Sequence, residues 1–87
     1  MTSRTHLYVL LPQGHDPLVD VVPVDLEALL AQTPEQALGG GSGYEQQEDG
    51  RWWFSKMITG PDRLNVAHVL ADRLNALGYR SMVRTRR

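Results

Sequence analysis

The 87-residue sequence has no cysteine, a single lysine, a single phenylalanine and no long apolar run. Without cysteine there is no disulfide, no thiolate nucleophile and no cysteine-based zinc site. The longest unbroken apolar stretch, Leu7 to Leu11, falls far short of the roughly 20 residues a membrane-crossing helix requires. No apolar segment follows the early Arg4 in the manner of a secretory leader, so a cytoplasmic setting and no membrane partner are expected. A strong excess of one charge is also lacking, because nine basic and ten acidic residues leave a net charge of −1. A general polyanion-binding surface goes with a markedly basic domain, and this balance argues against one.

What remains is an ordinary globular composition, 41% hydrophobic and 22% charged, which excludes disorder and fibrous repeats. At this length one domain is expected over residues 1–87. The charge is unevenly spread: residues 1–43 hold Arg4 against five acids, whereas residues 44–87 hold eight basic groups against five acids. Eight of the nine cations are arginine, suited to bidentate contacts with carboxylate or phosphate. Arg80, Arg84, Arg86 and Arg87 crowd the last ten residues with no acid among them.

Alternation predicts a strand over Thr5–Leu11, with Leu7, Val9 and Leu11 on one face and His6, Tyr8 and Leu10 on the other. Pro12, Gly14 and Pro17 interrupt it, and Leu18–Val22 reads as a short extra strand or an ordered loop. Asp25 is the expected N-cap of a helix over residues 25–38, with a break near Thr33 where Thr33-Pro34-Glu35-Gln36 restarts a capping pattern. Gly39–Gly43 reads as a flexible Gly/Ser loop. Asp49-Gly50 between the extended runs Tyr44–Glu48 and Arg51–Ile58 predicts a hairpin with a type I′ turn. Asp62 stands in the first turn of the best helix, whose buried stripe is expected to run through Leu64, Ala67, Leu70, Ala71, Leu74 and Leu77. Gly78 is placed to end that helix, and Tyr79–Thr85 returns as a last strand.

The resulting order is βαββαβ, an α+β, ferredoxin-like arrangement with a four-stranded antiparallel sheet. Right-handed crossovers put both helices on one face and leave the other face open. Trp52 and Trp53 are neighbours on a strand and point to opposite faces. Burying Trp52, Phe54 and Ile58 removes more apolar area from water than the reverse register, at roughly 25 cal/mol per Å². The open face is then expected to carry Tyr8, Trp53, Met57, Met82, Arg80 and Arg84, together with His6.

Three readings of that face follow, the plainest being that a loop or the tail folds over the patch and completes a larger core. Trp, Tyr, Met and Arg are the types enriched at protein interfaces, which favours a protein partner or a second copy of the chain, met through this face or through an edge strand. Alternatively, single-stranded RNA or DNA stacks on Tyr8 and Trp53, with Arg80 and Arg84 on its phosphates. The same topology carries the RNA-recognition motif, and Arg51-Trp52-Trp53-Phe54 sets a basic residue before aromatics on the third strand. The octamer of that motif is missing, since Trp52 stands where it has glycine.

No catalytic group is nominated. His6, His15 and His68 are scattered, and His68 with Asp72 at i,i+4 supplies two metal ligands where a site needs more. Gly14-His15-Asp16-Pro17 is a turn by composition, and Ser42, Ser55 and Ser81 lack a nucleophile-elbow context. The glycine-rich loop with its catalytic arginine that acylphosphatases carry on this topology is not recognisable. The expectation is a small non-enzymatic, regulatory binding module without metal or cofactor.

Overall fold

Among the described residues six elements follow one another: β1 (Arg4–Leu10), α1 (Val24–Ala31), β2 (Ser42–Gln46), β3 (Trp52–Ile58), α2 (Arg63–Ala76) and β4 (Arg80–Arg86). They come from a computed structural model that describes residues 4–20, 23–33 and 42–86. The strands form one sheet in the order β2-β3-β1-β4, with every neighbouring pair antiparallel. This is the α+β, ferredoxin-like βαββαβ arrangement, with β1 and β3 in the middle.

The period of two in β1 sends Leu7 and Val9, with Leu11 just beyond the strand, into the core. Phe54 and Ile58 of β3 join them, and Leu26 and Leu29 of α1 and Ala67, Leu70, Ala71 and Leu74 of α2 close the core from above. Trp52, Tyr79 and Val83 pack at its margin, so Trp52 is the tryptophan on the helix side. Ala67 and Ala71 carry nothing beyond Cβ and let α2 lie close over β1 and β4. Leu64 and Leu77 do not belong to the stripe expected of them, being 47% and 51% exposed. Both sit in the terminal turns of α2, beyond the middle turns that face the sheet.

Several local expectations are revised. The helix α1 starts one residue before Asp25, with Pro23 in the N-cap position and no side-chain cap. Asp25 is instead engaged across the fold, its Oδ1 accepting the Leu26 N–H and the Tyr79 O–H. Asp62 is the N-cap of α2 rather than a first-turn residue, and it makes no capping bond. Of the two readings of Leu18–Val22, the described residues fit the ordered loop: residues 16–20 form a turn in which Asp16 Oδ1 accepts the Leu18 N–H and Asp20 Oδ2 accepts the Asp16 N–H. Val21 and Val22 lie outside the described residues. The helix expected over 25–38 ends near Thr33, whose hydroxyl donates to the Leu29 carbonyl. The second capping pattern and Gly39–Gly41 are not among the described residues. Ser42 and Gly43 are not loop but the start of β2, paired with Lys56 and Ser55.

The hairpin also differs in its turn. Gln47 N–H donates to the Arg51 carbonyl at 2.7 Å and Gly50 N–H to the Gln47 carbonyl at 3.0 Å, leaving residues 48–50 as the loop. Of these only Gly50 has positive φ, at 91°. That is a three-residue connection closed by a left-handed glycine, not the type I′ turn that demands positive φ at Asp49 as well. Asp49 Oδ1 instead accepts the Arg51 N–H. At the end of α2, Gly78 has φ of 98°, its N–H bonds the Asn75 carbonyl, and the Tyr79 N–H reaches back to the Leu74 carbonyl. The pair of bonds is a Schellman cap.

Two outcomes are expected from this packing. Leu74→Ala should cost about 2–5 kcal/mol and Leu77→Ala less than about 0.5 kcal/mol in urea unfolding, because only Leu74 leaves a cavity. The Tyr79 hydroxyl, pushed up to about 12 by burial and then by the Asp25 carboxylate beside it, keeps its proton in the folded state where the unfolded chain loses it near 10. Its stabilising contribution is therefore complete below pH 10 and declines as pH rises from about 10 to about 12. Tyr79→Phe should remove that part of the alkaline decline, measured as the difference between the two proteins' unfolding midpoints across this window.

Candidate functional site

Strand register arranges the open face in rows. Glu45, Trp53, Leu10 and Arg80 lie side by side across β2, β3, β1 and β4. The next row is Gly43, Ser55, Tyr8 and Met82, and the third sets Met57 beside His6 and Arg84. All six residues expected on this face lie in these rows.

Four of them converge. Tyr8, Trp53, Met82 and Arg84 line a shallow groove of about 590 Å³, together with Glu45 and the hairpin residues Gln46–Asp49. The floor is aromatic and thioether, one wall is acidic and the opposite rim is arginine. Met57, beside His6, and Arg80, beyond Leu10, do not line the groove. Arg80 borders a second hollow, at the sheet end, with Asp25, Arg51 and Tyr79. There Arg51 Nη2 donates to the Leu11 carbonyl at 3.1 Å.

Tyr8 is not the free platform the sequence suggests, since only 9% of it is exposed. The Arg84 guanidinium stands 5.6 Å from its ring centroid, and the His6 ring lies 6.2 Å away. An exposed guanidinium over a phenol ring contributes about 0.5–1 kcal/mol, and here it also caps the ring that a base would need. Leu10 is similarly covered, at 5% exposure, between Trp53 and Arg80. Long side chains on the flanking strands fold the central strand away from water.

The hairpin wall is the part that sequence reasoning missed. Glu45, Glu48 and Asp49 are exposed, as a solvated charged strand would be, and hairpin register places Glu45 directly beside Trp53. A two-residue Asp49-Gly50 turn would pair Glu45 with Phe54; the three-residue loop moves the register by one and pairs it with Trp53. The face therefore has opposite edges of opposite sign, with acids along β2 and its hairpin and Arg80 and Arg84 along β4. Among the described residues no three His, Asp or Glu side chains gather as a metal site would require, and no helix is long and apolar enough to cross a membrane. No protein-family model, curated protein or solved structure gives a significant match to the chain.

The two tryptophans should separate in mutagenesis. Trp52→Ala removes a side chain packed on the core and is expected to cost about 2–3 kcal/mol, below the range for a fully buried ring. Trp53→Ala uncovers only part of Leu10 and is expected to cost about 1 kcal/mol, with the circular dichroism spectrum unchanged. Denaturant titration of both variants distinguishes the faces.

Proposed function

We propose that this chain acts by binding, as a regulatory module that engages a protein partner through the open sheet face. The observation that carries this reading is the convergence of Trp53, Tyr8, Met82 and Arg84 on one groove. Tryptophan, tyrosine, methionine and arginine are over-represented where proteins meet, and the first, second and fourth dominate their hot spots. The acidic wall and arginine rim give such a contact a polarity, which selects partner and orientation more than it adds affinity.

Single-stranded nucleic acid is less well supported on the same surface. Glu45, Glu48 and Asp49 border the groove and repel phosphate, and the Tyr8 ring is already occupied by Arg84. The test is tryptophan fluorescence, titrated with mixed-sequence single-stranded DNA and RNA at low and moderate salt. No saturable quenching is expected. Quenching that saturates and weakens steeply as salt rises, the mark of released counterions, overturns the protein-binding reading.

A further inference from the structure

The open face is unequal across the line between β3 and β1. In the row through Tyr8, the β2–β3 half presents Gly43 and Ser55, whereas the β1–β4 half presents Tyr8 and Met82. By side-chain size this row is low on one half and high on the other, whereas the next row sets Trp53 on the β2–β3 half. Gly43 has room above it as well, since a Cβ there would meet nothing closer than Ser55 Oγ at 3.5 Å. In the row through Trp53, the outer residue is acidic on the β2 side, Glu45, and basic on the β4 side, Arg80. Side-chain size in one row and charge in the other thus change across the same line.

We infer that the partner of this face is a second copy of the chain, stacked sheet on sheet about a two-fold axis that runs parallel to the strands between β3 and β1. The inference rests on the open face being the binding surface. Rotation about that axis keeps each row at its own level and exchanges its two ends. Met82 of the second copy then stands over Gly43, and the second copy's Tyr8 over Ser55, so high meets low. The second copy's Arg80 stands over Glu45 and its Leu10 over Trp53, so opposite charges meet at the rim around an apolar centre. Each contact occurs twice, as a self-complementary interface requires. The strands of the two sheets stay near alignment, the usual geometry for sheets packed about 10 Å apart.

The other face-to-face two-fold, perpendicular to the strands, sets every strand against its own copy. With that axis through the Tyr8 row, Arg80 would face the second copy's Arg84 along β4 with no acid opposite either. Glycine and serine would meet their own kind. Register thus favours the first axis over this one. Four strands of five to seven residues at about 4.8 Å spacing and 3.3 Å rise give a footprint of roughly 19 by 20 Å per copy. That is about 380 Å² per copy, below the roughly 800 Å² per partner of a standard interface, so the dimer is weak, transient and dependent on concentration.

The experiment is sedimentation velocity with light scattering at roughly 10–300 µM, the range a small interface calls for. It uses the unaltered chain, Glu45→Arg, Arg80→Glu, and an equimolar mixture of the two variants. Glu45 and Arg80 are both exposed, so each variant is expected to keep the parent's circular dichroism and melting profile. The unaltered chain should approach twice its 9.8 kDa mass. Each single variant sets like charge on like charge and should weaken the dimer about tenfold or more. The mixture should recover it, because a heterodimer sets the introduced arginine of one variant over the introduced glutamate of the other and leaves the remaining pair native. Ser55→Leu, which fills the low half without changing charge, should also weaken the dimer and serves if a charge variant is poorly folded. A chain that stays monomeric throughout overturns self-association while the reading of a different protein partner stands. A dimer for which the mixture is no better than its components, or which Ser55→Leu leaves unchanged, overturns the proposed axis. Saturable, salt-sensitive nucleic-acid binding overturns both this inference and the reading beneath it.

Discussion

β1 is hydrogen-bonded along both of its edges, to β3 on one side and to β4 on the other, and the remainder of the molecule is arranged around that double pairing. Thr5, Leu7 and Val9 face the helices with no exposed surface, and on the opposite side Tyr8 and Leu10 are nearly as well covered. A slip of one residue would exchange the two sets, sending Leu7 and Val9 outward and Tyr8 and His6 beneath the helices. Side chains reinforce the register at two points. Ser81 Oγ donates to the Tyr8 carbonyl at 2.9 Å, and Arg51 reaches the carbonyl of Leu11. Both neighbours of β1 are therefore held to it by more than the ladder.

With β1 held in this way, the rows of the open face are determined by backbone pairing and not by loop conformation. The groove is correspondingly a surface of strands, with only its acidic wall contributed by a turn. The same charges protect the sheet's ends. An exposed strand edge is a template for pairing with another chain, and charge is one of the devices that blunts it. Here β4 carries arginines while β2 and its hairpin carry acids, so an approach of like edge to like edge is repelled while the face between them stays apolar.

Much of this was legible in the sequence wherever a property depends on backbone period alone. Alternation placed Leu7 and Val9 opposite Tyr8, and adjacency placed Trp52 and Trp53 on opposite faces. It was less legible where a distant element decides. Helical period tells which side of α2 is apolar but not how far the sheet extends, so Leu64 and Leu77 were assigned to a core they do not reach. Asp25 has the residue type of an N-cap, but Tyr79, 54 positions away, claims its carboxylate. Reading Asp49-Gly50 as a two-residue turn pairs Glu45 with Phe54 and hides its true partner Trp53, and with it one wall of the groove. The covering of Tyr8 by Arg84 lies on two strands 76 residues apart along the chain, beyond the reach of any local pattern.

The bond from Ser81 to Tyr8 joins positions separated by 73 residues, nearly the whole chain. Loop closure of that length must be completed before its contacts repay the lost entropy. The hairpin of β2 and β3 closes over three residues and needs no such search. The order of assembly that follows is local to global: hairpin first, then β1 laid along β3, and β4 last, carried in by α2. Until that last step the far edge of β1 is bare, and the interval before β4 arrives is when this chain is most open to pairing with the wrong strand.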